Sequence, residues 1–261
     1  MLIPLFVFQV LLLIDVLGVK GLFISLILIL GLFLLYRVSL KIKLPTHRFS
    51  KVTWEDMPWL YDGIARMANR ARISMPTIYI EDNPIPTAYS FQNSIVLSAG
   101  LFDILSEDEI LAVAAHEIGH IKNGDTVLFP LLRYGRYVMG IMTGIILLVS
   151  RSSTIKVLSI LSFLGYVLML LRFLRKREFL ADRIALQIAE VPYALKTALE
   201  ELKFYEEMNK MPVPTIKPSL NRKENHEQQI FLLPSTHPSY DERIARIIAI
   251  VEMYRRLEFL N

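Results

Sequence analysis

The residues with the clearest chemical potential form the pentad His116-Glu117-Ile118-Gly119-His120. Two histidines four positions apart on a helix project from the same face, so their ring nitrogens can bind one metal ion. The glutamate beside the first histidine can reach a water on that ion. Zinc lowers the pKa of such a water to about 7, and a nearby carboxylate can take its proton. The pentad therefore predicts peptide-bond hydrolysis with Glu117 as general base.

The flanking residues predict the helix that this geometry requires. Ser106 and Glu109 have the pattern of a capping box at its start, and Asn123-Gly124 is a typical helix stop. Between these ends, apolar residues recur at helical spacing on one face, at Ile110, Leu111, Ala114, Ile118 and Ile121. A helix that carries two merely structural histidines is the alternative interpretation.

The composition favours a protein with membrane segments. The chain has 261 residues, of which 53% are hydrophobic, and its mean hydropathy is +0.42, above the usual values for a soluble domain. The net charge of +4 is modest, and basic residues cluster beside apolar stretches, which indicates a membrane rather than nucleic acid. The sequence contains no cysteine, so any zinc must bind histidine and carboxylate ligands.

Residues 1–40 predict two transmembrane helices, at roughly 2–19 and 21–38, joined by a tight hairpin. Small and polar residues interrupt the apolar run near its middle, at Asp15, Gly18, Lys20 and Gly21. A cleavable signal peptide is disfavoured because a basic n-region and a convincing cleavage site are missing. One long tilted span is the other alternative, and Pro4 and the polar break argue against it.

Two further spans are predicted at 127–150 and 155–174, around a break at Arg151-Ser152-Ser153. Arg133 and Arg136 weaken the first of these, because they could snorkel, face a partner helix, or show that the span starts later. Basic residues follow the second span, at Lys41, Lys43, Arg48 and Lys51, and mark the end of the fourth span, at Arg172, Arg175, Lys176 and Arg177. The positive-inside rule then places the N-terminus and both polar segments in the cytoplasm.

The segment ahead of the histidine helix predicts a small sheet. A soluble helix is expected at 53–72, with Thr53 and Asp56 as cap partners, and short strands at 77–80 and 94–98. Ala88-Tyr89-Ser90 comes just before the second strand and is the candidate substrate edge strand, where an extended peptide could pair with the main chain. A hairpin that only packs against the helix is an equally open alternative.

Two histidines leave a catalytic zinc one protein ligand short. Glu178 and Asp182 follow the fourth span and, four positions apart, share a helix face. We expect Glu178 to be the third ligand and Asp182 to orient a ligating histidine, with two solvated acids as the alternative. His120 and Glu178 can meet only if the intervening apolar chain crosses the membrane an even number of times, as two spans do.

The order of these motifs resembles the HtpX-like membrane zinc endopeptidases, a family related to the CAAX prenyl protease. The similarity covers nearly the whole chain: two N-terminal spans, HEIGH followed by IKNGD, two further spans, EFLAD, and THPSYDERIARI near the end. The joint occurrence of these motifs is highly specific. One departure concerns Thr87-Ala88-Tyr89-Ser90, which stands where the family often has Asn-Ala-Phe-Ala and affects the substrate edge.

The resemblance implies one Zn2+ per chain and a role for each matching residue. The implied zinc ligands are His116, His120 and Glu178, with Glu117 as general base and acid, Asp182 as an outer carboxylate, and His237 and Arg243 in the cleft. His237 could donate to the oxyanion, and Arg243 could hold Asp182 or the substrate backbone. Helices are predicted at 191–208 and from Tyr240 onward, and the proline-rich stretch 209–236 between them is a loop that could lie over the cleft.

These patterns together predict a mainly α protein with a small β-sheet (α+β), in which an HExxH zinc-peptidase domain is combined with about four transmembrane helices. Its expected parts are two spans (1–40), a cytoplasmic catalytic part (41–126), two spans (127–174) and a second cytoplasmic catalytic part (175–261). The expected partners are polypeptide substrates and the lipid bilayer, without nucleic acid. The resemblance alone implies membrane or misfolded proteins as substrates, in quality control.

Three rival functions follow from the same residues. An intramembrane metalloprotease is disfavoured by the charged residues at both ends of the histidine helix. A CAAX-type processing protease generally has more spans than this chain can supply. A non-catalytic membrane scaffold with a structural zinc belongs to a different class, and it would tolerate the change Glu117→Gln.

Overall fold

The structure is a computed structural model that describes residues 2–39, 47–210 and 238–258, except for the side chains of residues 210 and 254–258. It confirms the predicted α+β class. The helices are α1 (Leu2–Leu17), α2 (Val19–Ser39), α3 (Pro58–Ala71), α4 (Ala99–Ile104), α5 (Glu107–Lys122), α6 (Asp125–Val149), α7 (Ser153–Ile188), α8 (Ala194–Lys210) and α9 (Tyr240–Glu258). The strands are β1 (Phe49–Val52), β2 (Thr77–Glu81), β3 (Ala88–Phe91) and β4 (Ser94–Ser98).

Three of the described helices, α2, α6 and α7, are long and apolar enough to cross a membrane. Helix α1 is also apolar, but its 16 residues fall short of the roughly 20 that a span across the hydrocarbon core needs. The structure therefore contains three candidate spans and one shorter apolar helix where the sequence predicts about four spans.

The first two helices form the predicted hairpin. Gly18 lies between them with a φ of +59°, a left-handed conformation that glycine adopts without steric cost. A side chain at Gly21 would come within 2.3 Å of the Leu13 carbonyl oxygen, so α2 packs directly on the backbone of α1. The chain therefore forms two packed helices here and not one long tilted span.

Helices α6 and α7 run antiparallel to each other, since Gly135 packs against Tyr166 and Gly140 against Phe163. Helix α7 continues for 36 residues, so the predicted boundary between 174 and 175 falls inside one helix. The physical reason is that residues 166–188 contain no glycine or proline, and the basic residues at the boundary are good helix formers. The carboxylates of the second polar segment are thereby fixed to a membrane helix.

A buried amide joins the apolar helices. Gln9 is fully buried, and its Nε2 donates to Thr143 Oγ1 at 2.9 Å and to Ser159 Oγ at 2.6 Å. Hydrogen bonds between helices stabilise bundles in lipid because a polar side chain finds no water there. This contact connects α1 to both α6 and α7.

The sheet has the strand order β1-β2-β4-β3, with β2 and β4 parallel and both edge strands antiparallel. Strands β2 and β4 confirm the two predicted strands. The prediction of a helix from residue 53 is wrong: Thr53 and Asp56 do pair, but they close a turn, and α3 begins at Pro58, whose missing N–H suits a first helical turn.

The hydrophobic core of the part outside the membrane helices surrounds α5. The sheet contributes Ile78, Ile95 and Leu97, and α3, α8 and α9 contribute further buried side chains, among them Leu60, Ile64, Met67, Leu195, Leu199 and Ile247. Ten of the 16 residues of α5 are buried, namely Ile110 and the run from Ala112 to His120. Burial on all sides fixes the direction in which each side chain of the pentad points.

Candidate metal centre

Helix α5 begins and ends where the sequence predicts. The Ser106 N–H and hydroxyl both donate to Glu109 Oε2 at 2.9 Å, which closes the capping box. Asn123 caps the other end, and Gly124 follows with a φ of +71°. This left-handed residue ends α5 and turns the chain, and Asp125, the first residue of α6, lies against His120 in the last turn of α5.

Gly119 lets α5 approach α7 closely. A Cβ at this position would lie 2.9 Å from the Cα and the carbonyl oxygen of Ala181, closer than real Cβ contacts occur. Glu178 and Asp182 lie within one turn of Ala181 on α7. The contact therefore brings both carboxylates to the two histidines of the pentad.

Three predicted ligands converge at one point. The Nε2 atoms of His116 and His120 are 3.1 Å apart. The Glu178 carboxylate lies 3.6 Å from Nε2 of His116 and 3.7 Å from Nε2 of His120. All three side chains are buried, and their ligand atoms lie within 4.8 Å of one another.

The other nitrogen of each ring contacts a carboxylate. Nδ1 of His116 is 2.8 Å from Asp182 Oδ1, and Nδ1 of His120 is 2.8 Å from Asp125 Oδ2. An ionised carboxylate only accepts, so each Nδ1 must donate. In a neutral ring, Nε2 then carries a lone pair, and both lone pairs point into the space that Glu178 borders.

This arrangement fits a divalent zinc ion. Ligands 2.0–2.2 Å from a tetrahedral zinc are separated by roughly 3.3–3.6 Å, close to the three separations in the centre. Two lone pairs 3.1 Å apart repel unless a proton or a cation lies between them. Among the described residues, four buried carboxylates (Glu117, Asp125, Glu178 and Asp182) lie near two arginines, Arg177 and Arg243, which leaves two negative charges that protons or a metal cation can balance.

Arg243 of α9 completes the surroundings of His116. Its guanidinium donates to both oxygens of Asp182, with Nε at 2.9 Å from Oδ2, and lies 3.2 Å from His116 Nδ1. Burial raises the pKa of Asp182, but His116 and Arg243 lower it to about 2, so the carboxylate is ionised at neutral pH. Burial and Arg243 lower the pKa of His116, whereas Asp182 and Glu178 raise it to about 9. A proton and a metal ion therefore compete for this ring.

Glu117 is buried, with 6% of its surface exposed. Within the described residues it has neither a hydrogen-bond partner nor an ion-pair partner, although the charge of Arg243 is near enough to act on it. It follows His116 directly, beside the converging ligands. Its carboxylate is thus available for a water molecule or a substrate proton.

Sequence reasoning missed two contributors, Asp125 and Arg177. Asp125 is fully buried and holds His120, while Arg177 donates to Asp125 and to the Asn123 carbonyl. The Asn-Gly stop just after His120 is a signal that could have found Asp125, because a reversal there returns the next acid to the histidine. Arg177 carries no such local signal, since its partners are brought near only by the packing of α7.

The remaining predicted residues fall into two groups. Ala88, Tyr89 and Ser90 lie in β3, an edge strand that packs against α5. His237 lies outside the described residues, as does the predicted loop from residue 211 onward. The oxyanion role of His237 therefore stays a prediction.

The fold and the site define a metalloprotease with membrane helices. Residues 55–251 match the model of Peptidase family M48. The chain belongs to this family, and its resemblance to HtpX-like enzymes is confirmed. It is 31% identical to a protease HtpX homolog of Dictyoglomus turgidum over 85% of this chain and 79% of that protein. It is 28% identical to a homolog of Persephonella marina (86% and 85% covered) and 28% identical to one of Aquifex aeolicus (88% and 84% covered).

The close contact between Gly119 and Ala181 can be tested by substitution. We expect Gly119→Ala to push α5 away from α7, because a methyl group has no room against the Ala181 backbone. Overpacking of this kind costs about 1–3 kcal/mol. The separation should weaken zinc binding, measured by competition with a chromophoric chelator, and lower the melting temperature of the purified protein.

Gly144→Ala in α6 is the matched control, because a Cβ there would meet nothing within 4 Å. This variant should keep the zinc affinity of the wild type. Equal affinity of the Gly119→Ala variant and the wild type would contradict the proposed role of the contact.

Proposed function

We propose that this membrane metalloprotease is a zinc endopeptidase that hydrolyses peptide bonds of membrane or misfolded proteins on the cytoplasmic side. The observation that carries the proposal is the convergence of His116, His120 and Glu178 beside the buried carboxylate of Glu117, which has no partner among the described residues. Two histidines and a glutamate are a ligand set of catalytic zinc sites, which keep one position open.

Each of these residues has a defined task in the proposed reaction. A bound zinc ion would polarise the scissile carbonyl and make a water more acidic. Glu117 accepts a proton from the attacking water and passes it to the leaving amine. Asp182 and Asp125 hold the two imidazole rings in one tautomer, and Arg243 keeps Asp182 ionised and in place.

The change Glu117→Gln tests the general base. An amide cannot accept the proton, so we expect peptide hydrolysis to fall by roughly 10²–10⁴-fold. Zinc content should stay near one ion per chain, because Glu117 is not among the three ligands. Both quantities can be measured on detergent-purified protein, with casein as substrate and metal analysis of the same sample.

Glu107→Gln serves as the control, since this glutamate lies exposed at the start of the same helix. It should leave hydrolysis unchanged. If the Glu117→Gln variant retains zinc and cuts casein as fast as the wild type, the mechanism is wrong. The alternative of a zinc-containing scaffold is favoured if both proteins hold zinc and neither cuts.

The edge strand β3 is the proposed substrate-binding element. The Ser98 N–H donates to the Thr87 carbonyl, and Ala88 lies opposite Leu97 in the register of β3 and β4. In an antiparallel pair the main-chain groups alternate in direction, so those of Ala88 and Ser90 point away from β4. No other strand of the described residues pairs with this edge, so an extended peptide could pair with it, and β3 packs against α5 near the candidate ligands.

Ser90→Pro tests this pairing, because it removes an outward N–H without removing a bond to β4. One lost hydrogen bond corresponds to about a tenfold decrease in kcat/KM. Lys51→Pro is the matched control: the Asp82 N–H donates to the Arg48 carbonyl, so the Lys51 N–H also points outward, but from the opposite edge. An equal loss in both variants would indicate damage to the sheet rather than to substrate binding.

The cytoplasmic orientation follows from the basic residues near the ends of the apolar helices. The absence of cysteine makes it testable with single introduced cysteines. Ser153→Cys, exposed at the start of α7, should react with a membrane-impermeant maleimide added to spheroplasts. Glu201→Cys, exposed on α8, should react only after permeabilisation, and the reverse pattern would contradict the proposed topology.

A further inference from the structure

Two arginines lie within a candidate membrane span without a counter-ion. Arg133 and Arg136 are part of α6, and Arg133 is exposed. In the described parts of the chain, neither guanidinium pairs with a carboxylate, whereas Arg175 pairs with Glu242 and Arg177 with Asp125. A guanidinium at membrane depth is costly unless an anion accompanies it.

The neighbouring apolar segments offer no such anion. Residues 126–177, which include most of α6 and the membrane part of α7, contain no aspartate or glutamate. Residues 2–39 contain only Asp15, which lies near the opposite end of α1, beside the hairpin. The anion must therefore come from outside these helices.

The two arginines form a compact group of donors with Tyr137. They are three positions apart and so share a face of α6. The Arg136 guanidinium lies 5.2 Å from the centre of the Tyr137 ring, and both guanidinium groups lie near the Tyr137 hydroxyl. Tyr137 is 49% exposed, so this face of α6 is directed away from the other apolar helices.

The depth of the group suits a lipid headgroup. Arg133 and Arg136 follow Asp125 by roughly 12 and 16.5 Å along the helix axis, at 1.5 Å per residue. Helical side chains lean toward the helix N-terminus, which in α6 is the end at the metal centre. Long arginine side chains therefore carry their charges back toward the membrane surface on that side.

We propose that Arg133, Arg136 and Tyr137 bind the phosphate of an anionic phospholipid in the leaflet nearest the metal centre. A planar guanidinium binds phosphate oxygens in a bidentate manner. The bound headgroup holds α6 at a fixed depth in the membrane. Because Asp125 at the start of α6 contacts His120, the position of α6 also affects the position of this histidine. This inference depends on the proposed membrane placement of α6 and is independent of proteolysis.

The test compares lipid retention by native mass spectrometry. Wild type and the double variant Arg133→Gln/Arg136→Gln are purified in detergent doped with equal amounts of phosphatidylglycerol and phosphatidylcholine. We expect the wild type to retain phosphatidylglycerol preferentially, and the double variant to retain roughly 30-fold less, at about fivefold per arginine. Equal retention by the two proteins would overturn the proposal.

The double variant Arg151→Gln/Lys156→Gln is the matched control, because it removes the same charge at the other end of α6 and α7. It should keep the preference for phosphatidylglycerol, and an equal loss there would show an unspecific charge effect. Inorganic phosphate, added to a separate sample, should not displace the lipid; displacement would identify a free-anion site instead.

The helical circular dichroism signal and the elution volume in size-exclusion chromatography serve as folding controls for both double variants. If Arg133→Gln/Arg136→Gln does not fold, the two single variants provide the same test, each with a severalfold loss. Catalytic activity is not needed for any of these measurements. Failure of the lipid site is therefore distinguishable from failure of the proposed zinc peptidase.

Discussion

The close approach of α5 to α7 is the contact on which the rest of the site depends. Gly119 leaves room for the Ala181 backbone, and only at this distance can Glu178 reach two histidines on the other helix. Because the candidate ligands lie on two helices, the packing of these helices determines how precisely they are positioned. The position of α5 is well defined because the helix packs against the sheet, α3 and α8 in one hydrophobic core.

Charge balance explains why so many polar groups are buried together. Each histidine is held by a carboxylate, and each of those carboxylates is held by an arginine, Asp182 by Arg243 and Asp125 by Arg177. Such pairs cost desolvation energy and are retained where geometry matters more than stability. The remaining negative charge, on Glu117 and Glu178, favours the binding of a divalent cation.

The membrane helices carry residues of the candidate site and are not a separate anchor. Helix α7 passes without a break from its apolar stretch to Glu178 and Asp182, and α6 begins at the aspartate that holds His120. Any tilt or shift of α6 against α7 would therefore move a candidate ligand. This coupling gives a physical reason for a phosphate anchor on α6 and for the polar contact that joins α1 to both helices.

The sequence by itself determined the elements whose signals are local. Helical periodicity and caps identify α5, apolar runs identify the long membrane helices, and spacing on one helix pairs His116 with His120 and Glu178 with Asp182. Tertiary structure alone decided the contacts between distant segments. Arg177 meets Asp125, Arg243 meets Asp182, and β1 pairs with β2 only because packing brings them together. Local periodicity carries no information on partners across the chain, since those depend on which buried surfaces fit one another.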